Sequence, residues 1–113
     1  MLYYKQLFLS LDKVHLKGVL WRCFIINKVV ETKHAQKVIE KIPAYVADKL
    51  NSWALLVEEY GLDEVRKLKG YHDEPLKGDL RGCRSIRLNR SYRAIYTVRF
   101  GMVVIEEVNK HEY

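Results

Sequence analysis

The chain has 113 residues, 20 Lys and Arg against 14 Asp and Glu, and a formal charge of +6. That length holds one domain with a thin but real core. With 49% apolar and 30% charged residues it is neither disordered nor fibrous, and no apolar run is long enough for a transmembrane helix.

Residues 1–20 begin apolar, but Asp12 and Lys13 interrupt the run. The stretch has no basic n-region, no long h-region and no small-residue cleavage site, so it does not read as a signal peptide. Trp21-Arg22-Cys23-Phe24-Ile25-Ile26-Asn27 is aromatic and β-branched and reads as a strand. Thr32 suits the N-cap of a helix running to Ile42, with Ala35, Val38, Ile39 and Ile42 on one stripe. Pro43 suits the start of a second helix, whose stripe is Val46, Leu50, Trp53, Val57 and Tyr60 and whose terminator is Gly61. A short helical turn follows over 63–68, with acids at its start.

Gly70, Pro75, Gly78 and Gly82 mark 70–82 as a loop. Three strands then follow as a meander: 85–88, a turn at Asn89-Arg90-Ser91, 92–98, a turn at Phe100-Gly101, and 102–108. A strand, two helices and three antiparallel strands make an α+β layer, a sheet with helices on one face.

Charge is concentrated in one third of the chain. Residues 66–99 hold 10 Lys and Arg against 3 acids, whereas residues 1–65 hold 9 against 8 and residues 100–113 hold 1 against 3. Charge runs are ordinarily solvated faces, but this concentration favours a polyanion site. If Leu88 and Tyr92 flank the three-residue turn as a pair, Arg87 lies opposite Arg93 and Ser85 opposite Ile95. Ile86, Leu88, Tyr92, Ala94, Tyr96 and Val98 then share an apolar face, and Ser85, Arg87, Arg93, Thr97 and Arg99 share the other. Like charges set directly opposite destabilise a sheet by up to about 1 kcal/mol per pair. Two such arginines call for an anion between them, or for an acid such as Glu107 on the last strand.

A guanidinium pair on a rigid sheet suits phosphate chemistry, because it stays charged and forks onto two phosphate oxygens. Lys67, Lys69, Lys77, Arg81 and Arg84 are candidates to track an RNA backbone, and His72 lies in the same basic loop. RNA cleavage requires attack by a 2′-OH, a base for its proton and an acid for the leaving 5′-oxygen. His111 can exchange protons near neutral pH, and Tyr113 can stack on a base or orient a phosphate. His15 and His34 carry no such context. The four His and two Cys have no metal-ligand spacing, and the two Cys make neither a CxxC nor a disulfide framework. The reading is therefore no metal, no cofactor and a reduced, cytoplasmic setting.

From Trp21 to Tyr113 the chain resembles the RelE/ParE superfamily of bacterial type II toxins. The carriers are His72-Asp73-Glu74-Pro75-Leu76-Lys77-Gly78-Asp79-Leu80-Arg81-Gly82, Arg84-Ser85-Ile86-Arg87-Leu88, Tyr92-Arg93-Ala94-Ile95-Tyr96 and Val108-Asn109-Lys110-His111-Glu112-Tyr113. The resemblance is to the RelE, YoeB and HigB branches at the C-terminus. It implies a small, twisted, mostly antiparallel sheet packed on two or three helices from the N-terminal half. It also implies a ribosome-dependent mRNA endonuclease that enters the ribosomal A site and is neutralised by a cognate antitoxin. Members begin just before the first strand, which makes 1–19 an N-terminal extension and 20–113 the toxin domain. By position, Arg93 matches the arginine that stabilises the transition state, Arg87 a basic residue on the preceding strand, His111 a C-terminal catalytic position and Tyr113 a terminal aromatic. The lysine pair of some members is not reproduced, since Ser85 precedes Arg87, and the general base falls to His111 or a carboxylate such as Glu107. Two other functions stand beside this one: a ParE-like gyrase inhibitor without RNA chemistry, and a non-catalytic nucleic-acid-binding module.

Overall fold

The computed structural model describes residues 25–110. The expected extension at 1–19, most of the expected strand at 21–27, and the candidates His111 and Tyr113 lie outside the described residues. The elements run β1 (Val29–Glu31), α1 (Lys33–Ile39), α2 (Ala44–Tyr60), α3 (Leu62–Val65), β2 (Glu74–Pro75), β3 (Arg84–Arg87), β4 (Tyr92–Arg99) and β5 (Met102–Lys110). One five-stranded sheet has the order β1-β5-β4-β3-β2. β1 is parallel to β5, and every other pairing is antiparallel. The fold is the expected α+β layer. No helix among the described residues is long and apolar enough to cross a membrane.

Among the described residues the first strand is Val29–Glu31, which the sequence did not suggest. Residues 25–27 are not in the sheet. They run beside the α2–α3 junction, where the Leu62 amide donates to the Ile26 carbonyl at 2.8 Å. Gly61 sits there with φ +87°, and a Cβ on it would come within 3.1 Å of the Ile25 side chain. Both the backbone angle and the close approach require glycine. The junction also explains Tyr60, which ends α2 63% exposed; after the turn at Gly61, Leu62 fills the core place at 1%.

Thr32 caps α1 as its position suggests. Its Oγ1 accepts from the Ala35 amide at 3.0 Å. α1 stops at Ile39, short of the expected Ile42, but Val38, Ile39 and Ile42 still pack against the core. In α2, Val46, Leu50, Trp53 and Val57 are all buried. They meet the inward face of the sheet, where Ile86, Leu88, Ala94 and Tyr96 are buried and Tyr92 is packed against the same core. The Trp53 and Tyr96 rings stack tilted with centroids 5.2 Å apart. Val98, past the end of β3, is left exposed.

Two features escaped the sequence. β2 is a fifth strand inside the segment read as a loop, pairing Glu74 with Ser85 and Pro75 with Arg84. β5 carries a bulge: Ile95 pairs with Glu107 but Tyr96 pairs with Ile105, so Glu106 is the extra residue. The bulge lets Val103, Ile105 and Val108 all reach the core despite their uneven spacing. Glu106 accepts from Thr97 Oγ1 at 2.8 Å and Arg99 Nη2 at 2.7 Å.

A buried polar cluster ties β2 to the sheet from within. The Asp73 carboxylate, 1% exposed, accepts from Arg84 Nε at 2.6 Å and from the Tyr96 hydroxyl at 2.6 Å. Arg66 Nε donates to the same hydroxyl at 3.4 Å. Burial, and then the hydrogen bond to Asp73, push the Tyr96 phenol up from 10.0 to about 12.

Two outcomes follow. Thr32→Ala costs about 1 kcal/mol by urea unfolding, and Thr32→Ser restores most of it. Below pH 10 the folded and unfolded chains both keep the Tyr96 proton. Between pH 10 and about 12 only the folded chain keeps it, so that contribution to stability falls as pH rises. Wild type therefore loses about 2 kcal/mol more than Tyr96→Phe between pH 9 and pH 12, read from urea midpoints. Equal losses in the two proteins would contradict the cluster.

Candidate functional site

The inward face is closed by the helices, so the chemistry must lie on the outward face. The register there is the one expected from the turn: Ser85 opposite Ile95 and Arg87 opposite Arg93. Asn89 sets that register by accepting from the Ser91 and Tyr92 amides, both at 2.7 Å. The Leu88 amide then donates to the Tyr92 carbonyl at 2.9 Å. Directly opposed Cα atoms in such a ladder are about 4.5–5.5 Å apart, so the two guanidinium stems rise side by side.

The acid that answers this charge is Glu74. From β2, its Oε1 accepts from Arg93 Nη1 at 3.1 Å. The same nitrogen donates to Ser85 Oγ at 3.4 Å. Ser85 is buried at 1% and serves as a floor for the arginine. Arg87 is half-buried and makes no hydrogen bond or ion pair with a described residue. Among the described residues Glu74 is the one carboxylate paired with either arginine. Ile95 and Val104, each 7% exposed and outside the main core cluster, add an apolar floor beside them.

Glu107 does not take the part expected of it. Its Oε2 meets His34 Nε2 at 2.7 Å, and its Oε1 accepts from the Val108 amide. It stands opposite Ile95 on the outward face, and the first turn of α1 supplies its partner. His34, which carried no signal in the sequence, is the partner that holds it. Glu74 was overlooked because Pro75 and the flanking glycines mark a loop, and a loop acid has no defined neighbour. A usable signal was present: Glu74 is one of only three acids among the ten basic residues of 66–99.

The other candidates are dispersed. Arg84 begins β3, one residue before the expected strand, and faces inward, where Asp73 holds it. Lys67 donates to Glu64 at 2.9 Å on its own turn, and that bond raises its pKa. Lys69, His72, Lys77 and Arg81 are exposed along the connection from α3 to β3. His72 has a left-handed backbone, with φ 47°. β5 ends at Lys110 opposite Tyr92, and Asn109 pairs with Arg93.

No protein-family model and no curated protein matches the sequence. Solved structures do match its fold. A YoeB/ParE toxin from Agrobacterium tumefaciens is 22% identical, with a TM-score of 0.60 over 75% of this chain and 99% of that one. The toxin–antitoxin complex RelBE2 from Mycobacterium tuberculosis is 22% identical, with a TM-score of 0.57 over 77% and 100%. YafQ from E. coli is 16% identical, with a TM-score of 0.59 over 74% and 92%. The chain thus has the fold of these toxin structures, a five-stranded sheet backed by helices on one face.

Proposed function

We propose that the chain is the toxin of a type II toxin–antitoxin pair and cleaves mRNA on the ribosome. The observation that carries this reading is the outward trio of Arg87, Arg93 and Glu74, with the carboxylate 3.1 Å from Arg93. Each member suits one need of the reaction. Glu74, 56% exposed at its side chain, takes the proton of the attacking 2′-OH. Arg93 faces the negative charge that builds on the phosphoryl oxygens, a charge fixed guanidinium groups stabilise without reorganising. Arg87, which pairs with no acid among the described residues, binds the phosphate in the ground state and shares that work. His111 follows directly on Lys110, where β5 ends beside the strand of Arg93, and gives a proton to the leaving 5′-oxygen. Tyr113 orients the phosphate or stacks on a base. The products are a 2′,3′-cyclic phosphate and a free 5′-hydroxyl.

Lys69, His72, Lys77 and Arg81 track the RNA backbone or ribosomal RNA along the basic connection. Lys67 and Arg84 are the weakest members of that set, because Glu64 and Asp73 already engage them. A cognate antitoxin is the partner that keeps such a nuclease silent, in line with the RelBE2 complex of the same fold.

The test is purified chain in a cell-free translation system. Messages are cut between codons and end in a 2′,3′-cyclic phosphate. Arg93→Ala and Glu74→Gln each lower the cleavage rate by on the order of a hundredfold or more and leave the thermal midpoint within a few degrees. Normal translation together with failing DNA supercoiling would favour a gyrase-inhibiting toxin instead. Wild-type cutting by Arg93→Ala would overturn the assignment of the site.

A further inference from the structure

We infer that Asp73 is a positioning residue for Glu74, an inference that rests on the role of Glu74 proposed above. The two residues are adjacent and point to opposite sides of the sheet. Glu74 reaches outward to Arg93, while Asp73 turns inward with its side chain 1% exposed. The inward carboxylate grips both strands that carry the outward site. It accepts from Arg84 of β3 and from Tyr96 of β4, each at 2.6 Å. Arg84 Nη2 also reaches the Asp73 carbonyl at 3.5 Å. Arg84 follows Cys83 and precedes Ser85, the floor of Arg93, and pairs across the ladder with Tyr96. Asp73 therefore refers the position of Glu74 to the same two strands that position Arg93.

The backbone alone is a weak means of doing this. β2 has two residues, and one of them is Pro75, which has no amide to donate. Just before Asp73, His72 holds a left-handed φ of 47°, a conformation that surrounding contacts must impose on a non-glycine residue. One carboxylate fixed on the inside thus reinforces a short ladder and presents its neighbour on the outside. Misplacing a reacting group by about 1 Å costs on the order of a hundredfold in rate, so this tie bears on turnover as well as on folding.

The full chain is compared as wild type, Asp73→Asn and Glu74→Gln. Asp73→Asn keeps an acceptor for Tyr96 and leaves Arg84, 27% exposed at its side chain, a path to water, so the protein still folds. Two readouts are taken: kcat and KM for ribosome-bound message, and the side-chain Nε–Hε resonance of Arg93. Asp73→Asn lowers kcat by about ten- to a hundredfold with KM unchanged, and moves the Arg93 resonance toward its place in Glu74→Gln. If Asp73→Asn is destabilised, the Arg93 resonance read well below its melting transition still decides the matter. A wild-type kcat, or an Arg93 resonance unmoved in Asp73→Asn but displaced in Glu74→Gln, overturns this inference alone. Wild-type cleavage by Glu74→Gln overturns the role of Glu74, and this inference falls with it.

Discussion

Opposed arginines on neighbouring strands are the constraint around which the rest is arranged. A sheet gains nothing by setting two guanidinium groups face to face, and it loses up to about 1 kcal/mol for doing so. The register that opposes them is enforced from both sides of the sheet. On the inside, Ile86, Leu88, Ala94 and Tyr96 are buried against the helices. On the turn, Asn89 fixes the step between the strands. A slip of one residue would expose the whole apolar set, so the arginines cannot relax away from each other. The core holds the charges together, and among the described residues only Glu74 pairs with either of them.

The acids around the arginines are sorted by what else they touch. Glu106 is engaged by Thr97 and Arg99, and Glu107 by His34. Asp73 is turned inward to Arg84 and Tyr96. Among the described residues only Glu74 is presented to Arg93. The inward turn at His72–Asp73 takes one carboxylate to the other side of the sheet and leaves its neighbour Glu74 beside Arg93.

Much of this was legible in the residues. The stripe from Val46 to Val57, the cap at Thr32, the turn at Asn89 and the meander strands follow from period and local chemistry, and the Arg87–Arg93 opposition follows from the turn length. What was hidden depends on long-range partners. Val29–Glu31 is a strand because β5 offers it an edge, and three residues are too few to carry a period of their own. Glu74–Pro75 joins the sheet because Asp73 finds Arg84 and Tyr96, and no local pattern announces that. The bulge at Glu106 shows only when the spacing of Val103, Ile105 and Val108 is set against the straight pleat of β4. The partnership of Glu107 with His34 joins residues 73 apart in sequence.

The proposed action of the arginine pair and Glu74 is on a 2′-hydroxyl and its adjacent phosphate. It is tested most directly on a message carrying a single 2′-deoxynucleotide at the cut site, presented on the ribosome to the wild-type chain. The account predicts that this message binds as tightly as the all-ribose one and stays intact at that position. Cutting there at the all-ribose rate would contradict it.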